Sequence, residues 1–121
     1  MEEKVKQALT RDRTIDITTS GRRTGLSHRL EIWFHNLDGR LYITGLPGRR
    51  DWYANLQANP EFTFHLKRRV QADLPARARP IVDKLERRAI LSTILQRLDR
   101  EADLEEWVAR SPLVEVELDL E

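Results

Sequence analysis

The sequence predicts a small, mainly β domain with helices (α+β). Six strands close into a barrel, with a helix after the third strand and a helix pair before the last. Three observations lead there. Short stretches alternate apolar and polar residues with the two-residue period of half-buried strands. Asp38-Gly39 sits between two of these stretches as a hairpin turn. Apolar residues at helical spacing appear in a few confined places, chiefly between Asp83 and Val108.

The first eight or so residues form a short helix with Val5 and Ala8 on one side. Thr14–Ser20 is the first strand, turning Ile15, Ile17 and Thr19 inward. Leu26–Asn36 is the second, with Leu30, Ile32 and Phe34 on one face and Arg29, Glu31, Trp33 and His35 on the other. After the hairpin, Arg40–Gly45 returns with Leu41 and Ile43 inward. Leu46-Pro47-Gly48 breaks the sheet, and Asp51–Ala58 reads as a short helix with Asp51 as its N-cap. Asn59-Pro60 stops that helix, because a residue before proline avoids helical angles.

Glu61–Leu66 is the fourth strand, burying Phe62, Phe64 and Leu66. Val70–Val82 is a long fifth strand, placed at an edge or bulge by Pro75 and Pro80. Asp83-Lys84-Leu85-Glu86 reads as a capping box opening a helix with Leu91, Ile94, Leu95 and Leu98 on one stripe. A second helix carries Leu104, Trp107 and Val108, and Leu113–Leu120 alternates as the last strand.

The 121 residues bound a single domain over 1–121. There is no cysteine, so disulfides and thiolate metal sites are excluded, which fits a cytoplasmic location. No apolar run reaches the length of a membrane span. The net charge of +1 is unevenly spread: Met1–Pro80 holds 15 Lys and Arg against 9 Asp and Glu, while Ile81–Glu121 holds 6 against 11. A basic first part suits an anionic small-molecule ligand.

The three histidines have no metal-ligand spacing, so no metal is expected. Ser20, Ser27, Ser92 and Ser111 lack a nucleophile-elbow setting. His35 and Tyr42 are the only guesses for a proton donor. The arginine-rich turns say more. In Gly21-Arg22-Arg23-Thr24-Gly25, backbone N–H groups, a hydroxyl and two guanidiniums meet, the chemistry of an anion nest. Gly48-Arg49-Arg50 repeats the device ahead of a helix N-terminus, beside Trp52 and Tyr53. Tyr53 and Leu56 are expected to pack that helix on the barrel more than Trp52 does. Trp33 points outward, toward a ligand or a partner.

The strings "ITTSGRRTGLSHRLEIWF", "DGRLYITG" and "DWYANLQANPEFTFHL" resemble the deazaflavin-dependent nitroreductase and quinone reductase family, and the resemblance runs from about Thr14 onward. Trp52–Pro60, matching W-Y-x-N-L-x-A-N-P, is its most specific part. The resemblance implies a split β-barrel of the FMN-binding type and binding of coenzyme F-420, a deazaflavin with a phosphate and an oligoglutamate tail. It implies hydride transfer from the reduced ring to a quinone, nitro compound or activated alkene. Arg22, Arg23, Thr24 and Gly25 would face the anionic tail. Gly48, Arg49 and Arg50 would contact the phosphate with Trp52 close by, and Trp33 would lie on the strand along the ring. FMN on the same barrel, as an oxidoreductase, is the first alternative, and a cofactor-binding or carrier protein without turnover is the second. Nucleic acid is not an expected partner, because the arginines are not interleaved with aromatics along one face. A homodimer is expected, because Trp33 and the outward strand faces need cover.

Overall fold

The computed structural model describes residues 2–119. It opens with helix α1 (Glu3–Arg11), then strands β1 (Thr14–Ser20), β2 (Ser27–Trp33), β3 (His35–Leu37) and β4 (Arg40–Thr44). Helix α2 (Asp51–Ala58) precedes β5 (Glu61–Leu66) and β6 (Ala72–Pro80). Helix α3 (Lys84–Arg97), a short 3-10 turn and helix α4 (Leu104–Arg110) lead to β7 (Leu113–Leu118). The last strand thus ends before the expected Leu120, which lies outside the described residues.

The seven strands form one antiparallel sheet in the order β2-β1-β5-β6-β7-β4-β3. The two ends of that order, β2 and β3, are consecutive in sequence. The single strand expected over Leu26–Asn36 is therefore divided at Phe34, giving seven strands where six are predicted. Up to Trp33 it pairs with β1, and from His35 it pairs with β4. Phe34 N–H still donates to Arg13 O at 2.9 Å, while its ring turns inward onto Phe64, edge to face at 5.3 Å. This bend rolls the sheet into the predicted barrel. It also leaves a gap where β2 and the end of β4 lie side by side without pairing.

The turn from β3 to β4 is the expected one. Asp38 and Gly39 both have positive φ, as a two-residue hairpin requires. The barrel interior holds Ile15, Ile17, Phe34, Ile43, Phe64 and Val114, with Val5, Ala8 and Leu9 of α1 and Leu56 of α2 in the same cluster. A second cluster covers the outside of β4 and β7. Tyr42 and Leu113 meet Ile90, Leu91, Ile94 and Leu95 of α3 and Trp107 of α4 there. Both faces of β4 are consequently buried, which its alternation alone does not reveal.

Three local expectations are corrected. β6 is an interior strand, paired with β5 on one side and β7 on the other. Its prolines fit because each nitrogen faces a neighbour just beyond its strand end, where Asp119 N–H still donates to Pro75 O at 2.9 Å. Ala78 N–H donates to Pro60 O, so even-numbered amides face β5 and odd-numbered ones face β7. Pro75 thus faces the end of β7, and Pro80 lies beyond the start of β5. Asp51 is the first helical residue of α2 and not its cap. The cap position is Arg50, without a side-chain bond. The capping box of α3 is only half made. Asp83 accepts from Glu86 N–H at 2.9 Å, but the Glu86 carboxylate turns to Arg79, which also holds Glu115 of β7.

Phe64 is fully enclosed, whereas Leu85 is 79 % exposed. Phe64→Ala should cost about 3–5 kcal/mol in urea denaturation. Leu85→Ala should stay within about 0.5 kcal/mol of wild type in the same measurement.

Candidate functional site

The two arginine turns belong to distant stretches of chain, and the barrel brings them to one place. Arg22 and Arg23, between β1 and β2, line a groove of about 1010 Å3 together with Gly48, Arg49 and Arg50 from the loop before α2. Arg87 of α3 and Arg110 at the end of α4 complete the wall. Asp51 is the single carboxylate residue among the groove's lining residues, so six guanidiniums face one acid. A groove of this sign concentrates anions.

The arginines are not equivalent. Arg22 is fastened to α2: its backbone N–H and its Nη1 both donate to Asn55 Oδ1, at 3.1 and 2.9 Å, and its Nη2 reaches Asp51 at 3.3 Å. Arg50 folds back on its own loop, donating from Nη1 to Arg49 O at 2.8 Å. Arg110 lies 3.6 Å from Glu106. Arg23 and Arg49 are exposed and form no ion pair among the described residues. Arg87 is buried, and its guanidinium donates to the carbonyls of Ile81, Trp107, Val108 and Ser111 at 2.6–3.1 Å. Burial pulls its pKa below the usual guanidinium value, opposed by Tyr53.

Glycine is required where the groove loop turns, because Gly48 has φ +123°, and its N–H is spent on Arg110 O at 3.1 Å. That N–H is therefore not free for an anion, against the nest expected there. Thr24 and Gly25 do not line the groove. Thr24 Oγ1 accepts from Leu26 N–H at 3.2 Å inside its own turn, and Gly25, at φ +74°, lets the turn close. Thr24 and Trp52 line an adjoining cavity of about 650 Å3 with Arg22, Arg23 and Asn55, and Tyr53 packs against the core as expected. Trp52 is 7 % exposed and belongs to the barrel core more fully than expected, while Tyr53 also lines the groove.

Trp33 is 47 % exposed and stands apart from the groove. It lines a separate cleft of about 570 Å3 at the barrel gap, with Gly45, Leu46, Leu98 and Trp107. The loop that opens at Gly45 and carries Arg49 and Arg50 contributes to both cavities. Glu31 beside Trp33 is neutralised by Lys67 and Arg68. His35 lines the same cleft, and burial together with Arg97 pushes its pKa down to about 4. It is uncharged at neutral pH and offers a hydrogen bond but no imidazolium proton. Tyr42 is buried under α3, out of reach of either cavity, so it cannot be the proton donor. Among the described residues no group of three or more metal-ligating side chains gathers, and no helix is long and apolar enough to cross a membrane.

The sequence reading placed Tyr53 beside the second turn but missed Arg87, Arg110 and Ser111 as groove residues. Arg87 carried a signal, since it stands on the apolar stripe of Leu91, Ile94 and Leu98, where a charged residue must have a buried task. Ser111 and Arg110 carried none.

Residues 2–119 match the model of the family described as F420H(2)-dependent quinone reductase. The chain belongs to this family. It is therefore an oxidoreductase of an F420-dependent family. Solved structures share the fold at low identity. A conserved hypothetical protein of Mycobacterium tuberculosis superposes with a TM-score of 0.75 at 14 % identity, over 99 % of this chain and 82 % of that one. A putative pyridoxamine 5'-phosphate oxidase from Listeria innocua gives 0.71 at 13 % identity, over 98 % and 93 %. A structure described as an F420-H2 dependent reductase gives 0.66 at 19 % identity, over 88 % and 95 %. Among curated proteins none matches the chain.

The depressed pKa of His35 has a consequence for this F-420 reductase barrel. Its ordinary value of 6.5 applies to the unfolded chain, which takes up the proton first as pH falls. Stability should decline between pH 6.5 and about 4. Thermal melts of His35→Gln should show a flatter profile across that interval. Parallel profiles for the two proteins would contradict the burial of a neutral ring.

Proposed function

We propose that this protein transfers a hydride from reduced F-420 to a quinone, a nitro compound or an activated alkene. The supporting observation is the convergence of both arginine turns on one groove with a single carboxylate. In this reading Arg23 and Arg49, unpaired and exposed, take the cofactor's phosphate and acidic tail. Arg22 is a positioning residue that holds the first turn against Asn55 of α2. When bound, the reduced deazaflavin supplies the hydride.

The cleft of Trp33, Leu46 and Trp107 would hold the planar ring and a flat acceptor, which its apolar side chains suit. His35 donates a hydrogen bond there, and its neutral state avoids repelling or trapping charge at the reacting face. FMN on the same barrel carries one phosphate and no acidic tail, whereas the groove's lining residues include six arginines and one carboxylate. The excess of arginine favours the longer, more highly charged deazaflavin. A cytoplasmic location and a homodimer that covers Trp33 and Leu46 complete the reading.

Titration with F-420 and with FMN tests it. F-420 should bind more tightly than FMN, with an affinity that falls as salt rises. Arg23→Ala/Arg49→Ala should lose about 1.5–3 kcal/mol of F-420 binding for each charged contact removed. Equal binding of both cofactors, or an unaffected double variant, would remove the groove from the reading. Light scattering at micromolar concentration should give twice the chain mass, and a monomer would refute the dimer.

A further inference from the structure

Two polar groups in the inner wall of the groove lack the partners that burial normally demands. Arg87 is 7 % exposed, yet among the described residues no carboxylate lies within ion-pair distance of it. Its four bonds all go to backbone carbonyls, which complete the C-terminal end of α4 but leave the positive charge without a counter-ion. One Nη1 N–H of its five donors is also left over. Ser111, 4 % exposed, follows α4 directly, and its carbonyl is among those Arg87 holds, at 2.6 Å. Its hydroxyl is buried with no hydrogen-bond partner. Both residues line the groove. Buried polar groups are almost always paired, so an orphan hydroxyl beside an uncompensated cation calls for a ligand. The comparison within the chain is informative. Among the described residues the other orphan atom, Asp12 Oδ2, belongs to a carboxylate whose second oxygen already holds Arg69 at 3.1 Å, whereas the Ser111 hydroxyl has no partner.

We infer that Ser111 and Arg87 form an oxyanion seat in the inner wall of the groove, separate from the two arginine turns. Ser111 Oγ donates a hydrogen bond to a phosphoryl or carboxylate oxygen of the ligand, and Arg87 supplies the facing positive charge. The inference rests on the reading that the groove takes an anionic cofactor. It adds a residue that no arginine-based account of the groove includes. It also assigns Arg87 a second role besides tying the helices together. The seat is rigid before the ligand arrives, because Arg87 is held by four carbonyls and Ser111 by its neighbours in the α4–β7 connection. An anion entering it therefore meets donors already in place.

The test is calorimetric titration with F-420 and, separately, with inorganic pyrophosphate, using wild type and Ser111→Ala, with thermal melts of both. Ser111→Ala removes an orphan hydroxyl, so its melting temperature should equal or exceed that of wild type. Its affinity should fall about tenfold or more, as expected for a lost hydrogen bond to a charged acceptor. The salt dependence should stay as in wild type, since no charge is removed. A loss seen with both probes assigns the seat to phosphoryl oxygens. A loss seen with F-420 alone assigns it to the carboxylates of the tail. Unchanged affinity of Ser111→Ala for both probes overturns the seat and leaves the arginine groove standing. Pyrophosphate binding that depends on Ser111, without any binding of F-420, keeps the seat and overturns the cofactor placement. A wild type that binds neither overturns both.

Discussion

Arg87 reaches from the buried side of α3 to four carbonyl oxygens, those of Ile81, Trp107, Val108 and Ser111. These belong to three parts of the chain: the exit of β6, the last turn of α4 and the start of the segment that becomes β7. A helix leaves its final carbonyls without partners, and in a buried setting each must find a donor. One guanidinium answers that need for α4 and fixes where β7 begins. The last strand can then enter between β6 and β4 in the register Ala78↔Val116 and Leu41↔Val116. The inner wall of the groove is the outer side of this same junction, so the packing of the helix pair and the shape of the site have one cause.

The second constraint is the bend at Phe34. A strand of constant direction would pair with β1 along its whole length and leave β4 with a free edge. By leaving β1 after Trp33 and joining β4 at His35, one stretch of chain serves both ends of the sheet. The interior aromatic pair Phe34 and Phe64 holds the bend. The place where the two pairings part is the cleft of Trp33 and Leu46. On the outer face near it, Asp16 holds Arg29 at 2.9 Å and Lys67 at 2.6 Å, and these cations hold the carboxylate well below its usual range. That face is an interlocked set of ion pairs, with a smaller cavity of about 290 Å3 beside Arg29 and Lys67.

Most of the fold was legible in the sequence because its elements obey local rules. β1, α2 and β5 begin and end where alternation, proline and polar boundaries place them. What was not legible depends on neighbours. β6 looked like an edge because proline removes a donor, but which amides meet a neighbour is decided by where β5 and β7 stop. Trp52 and Tyr53 are adjacent on a helix, and only the angle at which α2 crosses the barrel decides which ring is buried. The site was half legible. The arginine turns announced themselves by composition. Arg87, Arg110 and Ser111 reach the groove only through the docking of the helix pair, and a serine before a proline says nothing of itself.

The groove joins residues placed by a short-range and by a long-range strand pairing. Its first wall, at Arg22 and Arg23, belongs to a strand pair that closes over a few residues, Ser20 facing Ser27. Its last wall, at Arg110 and Ser111, exists only once β7 has paired with β4, as in Leu41↔Val116, one of the longest loop closures in the chain. Binding therefore reports on completed folding. A partly assembled barrel, with β7 undocked, would present the basic turns without the wall that Arg110 and Ser111 give the groove.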